Sequence, residues 1–331
     1  MKKIILSLVA ALISTTATQA QSSLLATLTH ETTTTIYYGT TALSQAMTAA
    51  DDGDVITLSS GTFTAVTIDK AVTLRGAGMG TDAQTQSEPT ILTGAFDVTT
   101  GNLTIEGVYC DNSLTFNNSS AGTKLASITL LKCRFNTIAN YNNTILENLT
   151  MIHCKVASSM TTVTNSSVSL LNCIVWNPNF SGHWELTNCV IRKDYPNNIA
   201  GGTTFKNCIF VGGYNSSFQS TVNLFNCLFI GDTSFNFFAN INNSTNKLVG
   251  DYSAVFKTCT DGTYSDSETF ELTDAAANIY KGTDGKQVGI YGGSLPFSML
   301  TSNPRITHAD VAPKSDTNGN LQINITVEGA E

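Results

Sequence analysis

The sequence predicts an all-β fold: a single-stranded, right-handed parallel β-helix (a solenoid) with a short N-terminal capping helix and a C-terminal β-hairpin segment. Three observations support this prediction. A motif of roughly 20 residues recurs along the chain, apolar side chains alternate on both sides of one fixed interruption in each repeat, and helical periodicity is nearly confined to residues 42–50. Each coil of such a fold is one repeat, and neighbouring coils stack through parallel strands.

The composition agrees with a chain that buries a long core. Of the 331 residues, 41% are hydrophobic and only 13% are charged, which argues against a coiled coil or a charged disordered chain. The formal net charge of -8 disfavours nucleic acid as a partner, because duplex binding needs a basic face.

Residues 1–20 are typical of a secretory signal peptide. Lys2 and Lys3 precede an apolar stretch over Ile4–Ile13, and the small residues Thr18 and Ala20 fit a cleavage site. Without the signal, 15 basic and 25 acidic residues leave a net charge of about -10. No later segment predicts a transmembrane helix. We therefore expect a secreted protein that is periplasmic, extracellular or loosely attached to the cell surface.

The repeat is clearest when the chain is aligned on cysteine. Six motifs follow one another at intervals of 16–21 residues: Leu130-Leu131-Lys132-Cys133, Met151-Ile152-His153-Cys154, Leu170-Leu171-Asn172-Cys173, Leu186-Thr187-Asn188-Cys189, Phe205-Lys206-Asn207-Cys208 and Leu224-Phe225-Asn226-Cys227. A seventh match, Phe256-Lys257-Thr258-Cys259, follows a longer insertion, and Leu74-Arg75-Gly76-Ala77 and Ile105-Glu106-Gly107-Val108 precede the series. Apolar residues stand three before and two after each of the six cysteines. The position before each cysteine, often Asn or Gly, suits the left-handed conformation of a sharp bend. Each repeat is thus predicted as strand, one-residue bend and strand, with turns and a third strand from the remainder.

Stacking places equivalent residues about 4.8 Å apart in columns. The cysteines then form an inward ladder, for which free buried thiols are favoured, although disulfides between neighbouring coils stay possible. Zinc-type Cys/His spacing is missing, so we expect no metal and no cofactor. The asparagine column, Asn172, Asn188, Asn207 and Asn226, predicts a side-chain hydrogen-bond ladder with a structural role.

Several segments resemble secreted bacterial right-handed parallel β-helix proteins of the pectate-lyase-like superfamily. The resemblance rests on residues 49–56, 60–64 and 72–78, and on a closing segment over residues 281–293. It implies a β-helix over 55–297, preceded by an N-terminal cap over 21–54. Some members of this superfamily are lyases or hydrolases that act on acidic polysaccharides.

Beyond Pro296 the pattern changes, and residues 298–331 predict a C-terminal β-hairpin and tail. Residues 305–309 and 321–327 alternate like two strands around Asp316-Thr317-Asn318-Gly319. Asp316, Asn318 and Asn320 faintly resemble a calcium loop, but Gly319 is misplaced for one, which favours a hairpin turn.

One outward column predicts a contact. The residues that directly follow the cysteines are basic at Arg134 and Lys155, and then Ile174, Val190, Ile209 and Leu228. A soluble monomer rarely exposes such an apolar stripe. We expect a cover, most simply the segment after Pro296 or the insertion over residues 236–246.

The candidate ligand-binding residues are basic and aromatic. Arg134 and Lys155 should stack on adjacent coils beside Lys132 and His153, and this cationic patch suits an anionic sugar. Trp176 and Phe180 are nearby aromatic candidates, as are Tyr195, Tyr214 and Phe218, whereas Trp184 belongs to an inward column. A hydrolase or a calcium-dependent lyase requires paired or clustered carboxylates, but few acids share a column on neighbouring coils, so no catalytic residue is assigned.

The sequence therefore favours a non-catalytic secreted protein that presents an extended surface to a polysaccharide, a cell-surface glycan or a matrix. A polysaccharide lyase or glycoside hydrolase acting on acidic polysaccharide is the alternative, with lyase the preferred activity if the protein is an enzyme.

Overall fold

The computed structural model shows a parallel β-solenoid of about 8 turns, which confirms the predicted fold class. It describes residues 24–80, 88–117, 122–141, 143–192, 199, 202–212, 222–231, 245–262, 265, 268–302, 305–311, 314–315 and 318–328. The proposed signal peptide and Tyr195, Tyr214 and Phe218 lie outside these residues. Among the helices in the described ranges, none is long and apolar enough to cross a membrane.

Two long sheets form the walls of the solenoid. Sheet 1 has 11 strands: β1 (Leu25–His30), β2 (Thr33–Tyr38), β3 (Val55–Leu58), β5 (Thr73–Arg75), β8 (Leu103–Glu106), β10 (Lys124–Leu131), β12 (Ile145–Ile152), β14 (Ser167–Leu171), β17 (His183–Thr187), β19 (Thr204–Lys206) and β21 (Asn223–Phe225). Sheet 2 has 12 strands: β4 (Gly61–Thr64), β6 (Thr90–Thr93), β7 (Phe96–Val98), β9 (Val108–Asn117), β11 (Arg134–Tyr141), β13 (Lys155–Thr161), β15 (Ile174–Trp176), β16 (Pro178–Asn179), β18 (Val190–Arg192), β20 (Ile209–Val211), β22 (Leu228–Ile230) and β23 (Lys247–Val249).

A single bend residue joins the two sheets in each cysteine-bearing coil. Lys132, His153 and the four asparagines of the column all have φ between +49° and +56°. The predicted left-handed bend is therefore confirmed, and lysine and histidine adopt it as well as asparagine. Residues that carry a Cβ, apart from asparagine and aspartate, rarely take this conformation, because it costs roughly 1–2 kcal/mol. The column must therefore be held by contacts, which are described below.

The third strand of the repeat is only partly formed. Short strands β7 and β16 pair with the far ends of β9 and β13, beyond a register shift after Phe135. In these early coils the second and third strands therefore merge into one sheet.

The cysteine ladder lies in the solenoid core, as predicted. All eight cysteines are free and buried. Each of the six ladder thiols donates to a carbonyl one coil earlier, over 3.3–3.6 Å: Cys133 to Ile105, Cys154 to Leu130, Cys173 to Met151, Cys189 to Leu170, Cys208 to Leu186 and Cys227 to Phe205. Burial raises the pKa of the Cys133 thiol well above its usual value, so the reactive thiolate is suppressed.

The seventh cysteine motif is not a coil of the solenoid, so that prediction was wrong. Phe256 and Cys259 lie in a second apolar cluster outside the solenoid wall. The coil that follows β22 is instead built around Asn246, whose Oδ1 accepts a hydrogen bond from the Cys227 backbone N–H over 2.8 Å. The apolar spacing of the motif recurs at residues 256–259 because both clusters need buried side chains.

Both ends of the chain contain local structure. Strand β1 pairs antiparallel with β2 and β3, and helix α1 (Ala42–Ala49) buries Leu43, Ala46 and Met47 in the main core. The predicted helix is therefore present, while its capping role stays a prediction. A second helix, α2, spans Asp274–Ile279. Strands β24 (Arg305–Val311) and β25 (Ile323–Glu328) pair antiparallel, as the predicted C-terminal hairpin requires.

Candidate functional site

The outward apolar column of sheet 2 is covered, as the sequence predicts. Ile174, Val190, Ile209 and Leu228 are at most 1% exposed. The described residues between 250 and 280, here called the cover, pack on this column through side chains that include Val255, Phe256, Cys259, Phe270 and Leu272. The identity of the cover differs from the expectation. From the segment after Pro296, Phe297 joins the cluster, and the proposed insertion lies largely outside the described residues.

Residues 281–302, here called the strap, run back along the bend column from the last coils to the early ones. Asn226 donates through Nδ2 to the Lys281 carbonyl over 3.0 Å, and Asn172 donates to the carbonyls of Ile290 and Gly292 over 2.6 and 3.0 Å. Asn207 accepts from the Thr283 backbone N–H over 2.9 Å. These bonds hold the bend residues to the strap.

The asparagines therefore do not form the predicted ladder with one another. In such a ladder each Oδ1 would accept from the next side chain, but Asn172 Oδ1 and Asn188 Oδ1 are buried without a hydrogen-bond partner. The amide donors of Asn172 and Asn226 bind strap carbonyls instead, which lie beside the column. A Cβ on Gly293 of the strap would lie 2.3 Å from Asn188 Nδ2, so only glycine permits this close approach.

A buried carboxylate holds the far end of the strap. Glu106 is 3% exposed, and it accepts from the backbone N–H of Ser302 over 2.7 Å and from its hydroxyl over 2.6 Å. Arg75 Nε lies 3.6 Å from the same carboxylate. Glu106 thus has a structural role, and its charge is compensated by these contacts.

Arg134 and Lys155 lie where the cover ends. They occupy adjacent coils of sheet 2 in register, and Tyr109 lies in register with Arg134 on the preceding coil. The Arg134 guanidinium lies 4.3 Å from the centre of the Tyr109 ring, and Lys155 Nζ lies 5.6 Å from the centre of the Phe297 ring. We call these four residues the ledge. The aromatic rings hold two half-buried cations in place on the outer wall.

The other two basic candidates lie at the bend, and His153 lies beneath the strap. His153 is 6% exposed, and its Nε2 lies 3.0 Å from the Leu295 carbonyl. Burial, reinforced by the nearby Lys132 charge, holds the pKa of His153 below its usual value. Lys132 is half-buried in the same column. His153 therefore adjoins the ledge without being exposed to a ligand.

The two aromatic candidates are both buried. Trp176 is 4% exposed in the second cluster, between Phe270 and Arg192, whose guanidinium lies 5.7 Å from its ring. Phe180 is 1% exposed in the main core and packs edge-on against Trp184. Neither ring presents a face to a surface ligand. Trp184 is fully buried, as predicted.

The arrangement offers positive charge without an acid cluster. Across the described residues, His, Cys, Asp and Glu side chains form no group of three or more that could hold a metal ion. Several of the acids are paired elsewhere, such as Glu147 with Lys124 and Glu271 with Lys257. What the ledge can do chemically is attract and orient an anion.

Sequence reasoning missed the aromatic partners of the two cations. The place of Tyr109 could have been predicted from the repeat, because Tyr109 follows Val108 in the same outward column as Arg134. The place of Phe297 could not, because it depends on the path of the strap. No protein-family model, curated protein or solved structure matches the chain, so the pectate-lyase-like resemblance stays an expectation.

Proposed function

We propose that this protein is a secreted, non-catalytic solenoid that binds acidic polysaccharide on the outer wall of sheet 2. The observation that carries the proposal is the ledge: Arg134 and Lys155 lie on adjacent coils, and each is steadied by an aromatic ring. Ordering these long side chains before binding reduces the entropy that an anionic ligand must overcome.

The chemistry of the ledge suits a polymer better than a small ligand. Adjacent coils repeat at about 4.8 Å, so the two cations form a short row along the solenoid axis. An acidic polysaccharide carries its carboxylates or sulfates in a row as well. The signal-peptide-like start of the chain supports export to where such polymers occur.

Binding to immobilised polygalacturonate, alginate and chondroitin sulfate, with neutral dextran as reference, tests this proposal. We expect the double variant R134Q/K155Q to lose affinity by about tenfold or more for the acidic polymers, since each such contact is worth about 1 kcal/mol. The double variant K124Q/K206Q removes the same charge from sheet 1 and should bind like the unaltered protein. Added salt should weaken the specific binding.

Two outcomes would overturn the proposal. Equal losses in the two double variants would show that only net charge matters, and no binding to any acidic polymer would remove the ledge as a site. Incubation of the unaltered protein with the same polymers should yield neither unsaturated products nor new reducing ends. Either product would establish the lyase or hydrolase alternative instead.

A further inference from the structure

The bend column carries a histidine at one of the points where it meets the strap. Further along the solenoid, Asn172 and Asn226 use side-chain amides to hold strap carbonyls, and His153 does the same through Nε2 to the Leu295 carbonyl over 3.0 Å. An amide does not titrate, but an imidazole does so near neutral pH. This one contact can therefore respond to acidity.

The geometry determines which nitrogen carries the proton. The Leu295 carbonyl can only accept, so Nε2 must be the donor, and in the neutral ring Nδ1 then carries a lone pair. Nδ1 is buried and has no hydrogen-bond partner. A second proton would create a buried N–H at Nδ1 with no acceptor, which is costly.

The charged groups around His153 oppose that second proton. Lys132 lies in the same column one coil away, and its charge disfavours the imidazolium. Lys155 extends from the following strand toward Phe297, whose ring centre lies 5.8 Å from that of His153. From the strap side the ring meets the Leu295 carbonyl and Phe297, neither of which is titratable. The folded contact is therefore built for neutral histidine.

We infer that protonation of His153 releases residues 295–297 of the strap and thereby uncovers the cationic side of the ledge. Release moves Phe297 away from Lys155, so the ordering that this ring gives to Lys155 is lost. The hydrated imidazolium adds its positive charge to the surface, and this gain outweighs that loss. Lys132, His153 and Lys155 then form one positive patch beside Arg134. Resting on the proposed function, this assigns it a regulation: acidic polysaccharide binds more tightly in mildly acidic surroundings.

The direction of this pH dependence follows from the linkage between strap closure and proton binding. Because the pKa of His153 is lowered in the closed state, the closed state binds fewer protons than the open state. The closed state therefore becomes less favourable as pH falls below the ordinary histidine pKa of 6.5. The open fraction can rise by up to about tenfold per pH unit in that range. Above that value His153 is neutral in both states, so closure no longer depends on its protonation.

We call the pH-dependent release of residues 295–297 the gate. Hydrogen exchange measured by mass spectrometry tests the gate without any polysaccharide. After correction for the intrinsic pH dependence of exchange, the backbone amides of Ser294, Leu295, Phe297 and Ser298 should exchange several-fold faster at about pH 5 than at about pH 7.5, where histidine is neutral. The variant H153N is the matched control. Asparagine tolerates the bend, keeps a donor toward the strap and cannot titrate, so its exchange should be independent of pH.

Exchange that is independent of pH in the unaltered protein, or equally pH-dependent in H153N, would overturn the gate. If H153N fails to fold, NMR titration of the histidine side chains decides: a His153 pKa at or above 6.5 contradicts the inference. Polygalacturonate binding at both pH values separates the two proposals. Binding through Arg134 and Lys155 without pH dependence removes the gate alone. A gate that opens without any polysaccharide binding removes the proposed function alone.

Discussion

The outward column of sheet 2 has two halves with the same backbone and different neighbours. Arg134 and Lys155, the two cations of the ledge, face outward and are half-buried. Ile174 and Val190, on the next coils in register, are buried under the cover. The strand geometry and the stacking are continuous across the boundary. Side-chain chemistry alone therefore decides where the wall of the solenoid is a surface and where it becomes the floor of a second core.

This comparison also explains where function is expected. A covered column stabilises the fold through the hydrophobic effect but cannot meet a ligand. The uncovered half keeps its cations, and the strap supplies the Phe297 ring to one of them, Lys155. The boundary between the halves, at Lys155 and Ile174, is thus the place to test both the fold and the proposed site.

The sharpest test introduces the same residue on both sides of that boundary. Ile174→Asp places an unpaired charge in the second cluster, and we expect the free energy of unfolding to fall by about 3–5 kcal/mol. Lys155→Asp, one coil earlier, should lower it by about 1 kcal/mol or less, because that position reaches solvent. Urea unfolding followed by circular dichroism compares the two. Similar losses would mean that the two halves are not different environments.

The strap bonds can be separated from backbone strain at Asn172. Asn172→Ala removes two hydrogen bonds and puts alanine at φ +49°, so we expect a loss of about 2–4 kcal/mol in unfolding free energy. Asn172→Gly removes the same bonds without the strain and should be less destabilising by about 1 kcal/mol. Thermal unfolding of both variants measures this. Equal losses in the two variants would show that the left-handed backbone at residue 172 adds no measurable strain.

The cysteines report separately on the two clusters. In the native protein all eight thiols should resist Ellman's reagent, because they are buried. As urea is raised, Cys259 in the second cluster should react before the six ladder thiols, because a surface layer opens more readily than the inner coils. Mass spectrometry after brief alkylation identifies the order. Simultaneous labelling would show that the cover and the solenoid unfold as one unit.

The smallest expected effect is a pH dependence of thermal stability at the N-terminal end of the solenoid. Protonation of His30 stabilises the folded state, whereas protonation of His153 disfavours the closed strap. A hydrogen bond to Asp54 raises the pKa of His30, the two side chains lying 2.7 Å apart. Burial alone would raise the pKa of Asp54, but hydrogen bonds from the Asp51 backbone N–H and from His30 lower it overall.

The stabilisation by this pair is fully present below the ordinary histidine pKa of 6.5 and is lost as pH rises through the raised pKa of His30. On the acid side it is lost as pH falls through the lowered pKa of Asp54. Melting temperatures of H30N and the unaltered protein should therefore differ slightly in mildly acid solution and coincide in alkaline solution. A difference that persists at alkaline pH would contradict the pairing.

Much of the fold could be predicted because the repeat is local. The bend needs a left-handed residue directly before each inward cysteine, and Asn172 to Asn226 show that signal in the sequence. The same alignment failed at Cys259, where an apolar pattern served a different cluster. The predicted asparagine ladder failed because its true partners, the strap carbonyls, are about 55–120 residues away in sequence.

The candidate site was predicted in part for the same reason. Arg134 and Lys155 share one column, and spacing alone places them side by side. The burial of Phe180 and Trp176, and the position of Phe297 against Lys155, depend on how distant segments return to the wall.

By itself, the sequence determined the coil, the inward thiol ladder, the bend and the need for a cover over Ile174 to Leu228. Each follows from periodicity and from local backbone preference, which act over a few residues. Only the tertiary structure decided what forms the cover, what the asparagines hold and which cations remain at the surface. Those outcomes depend on long-range packing, because the cover and the strap reach the solenoid from distant parts of the sequence and exclude water from it.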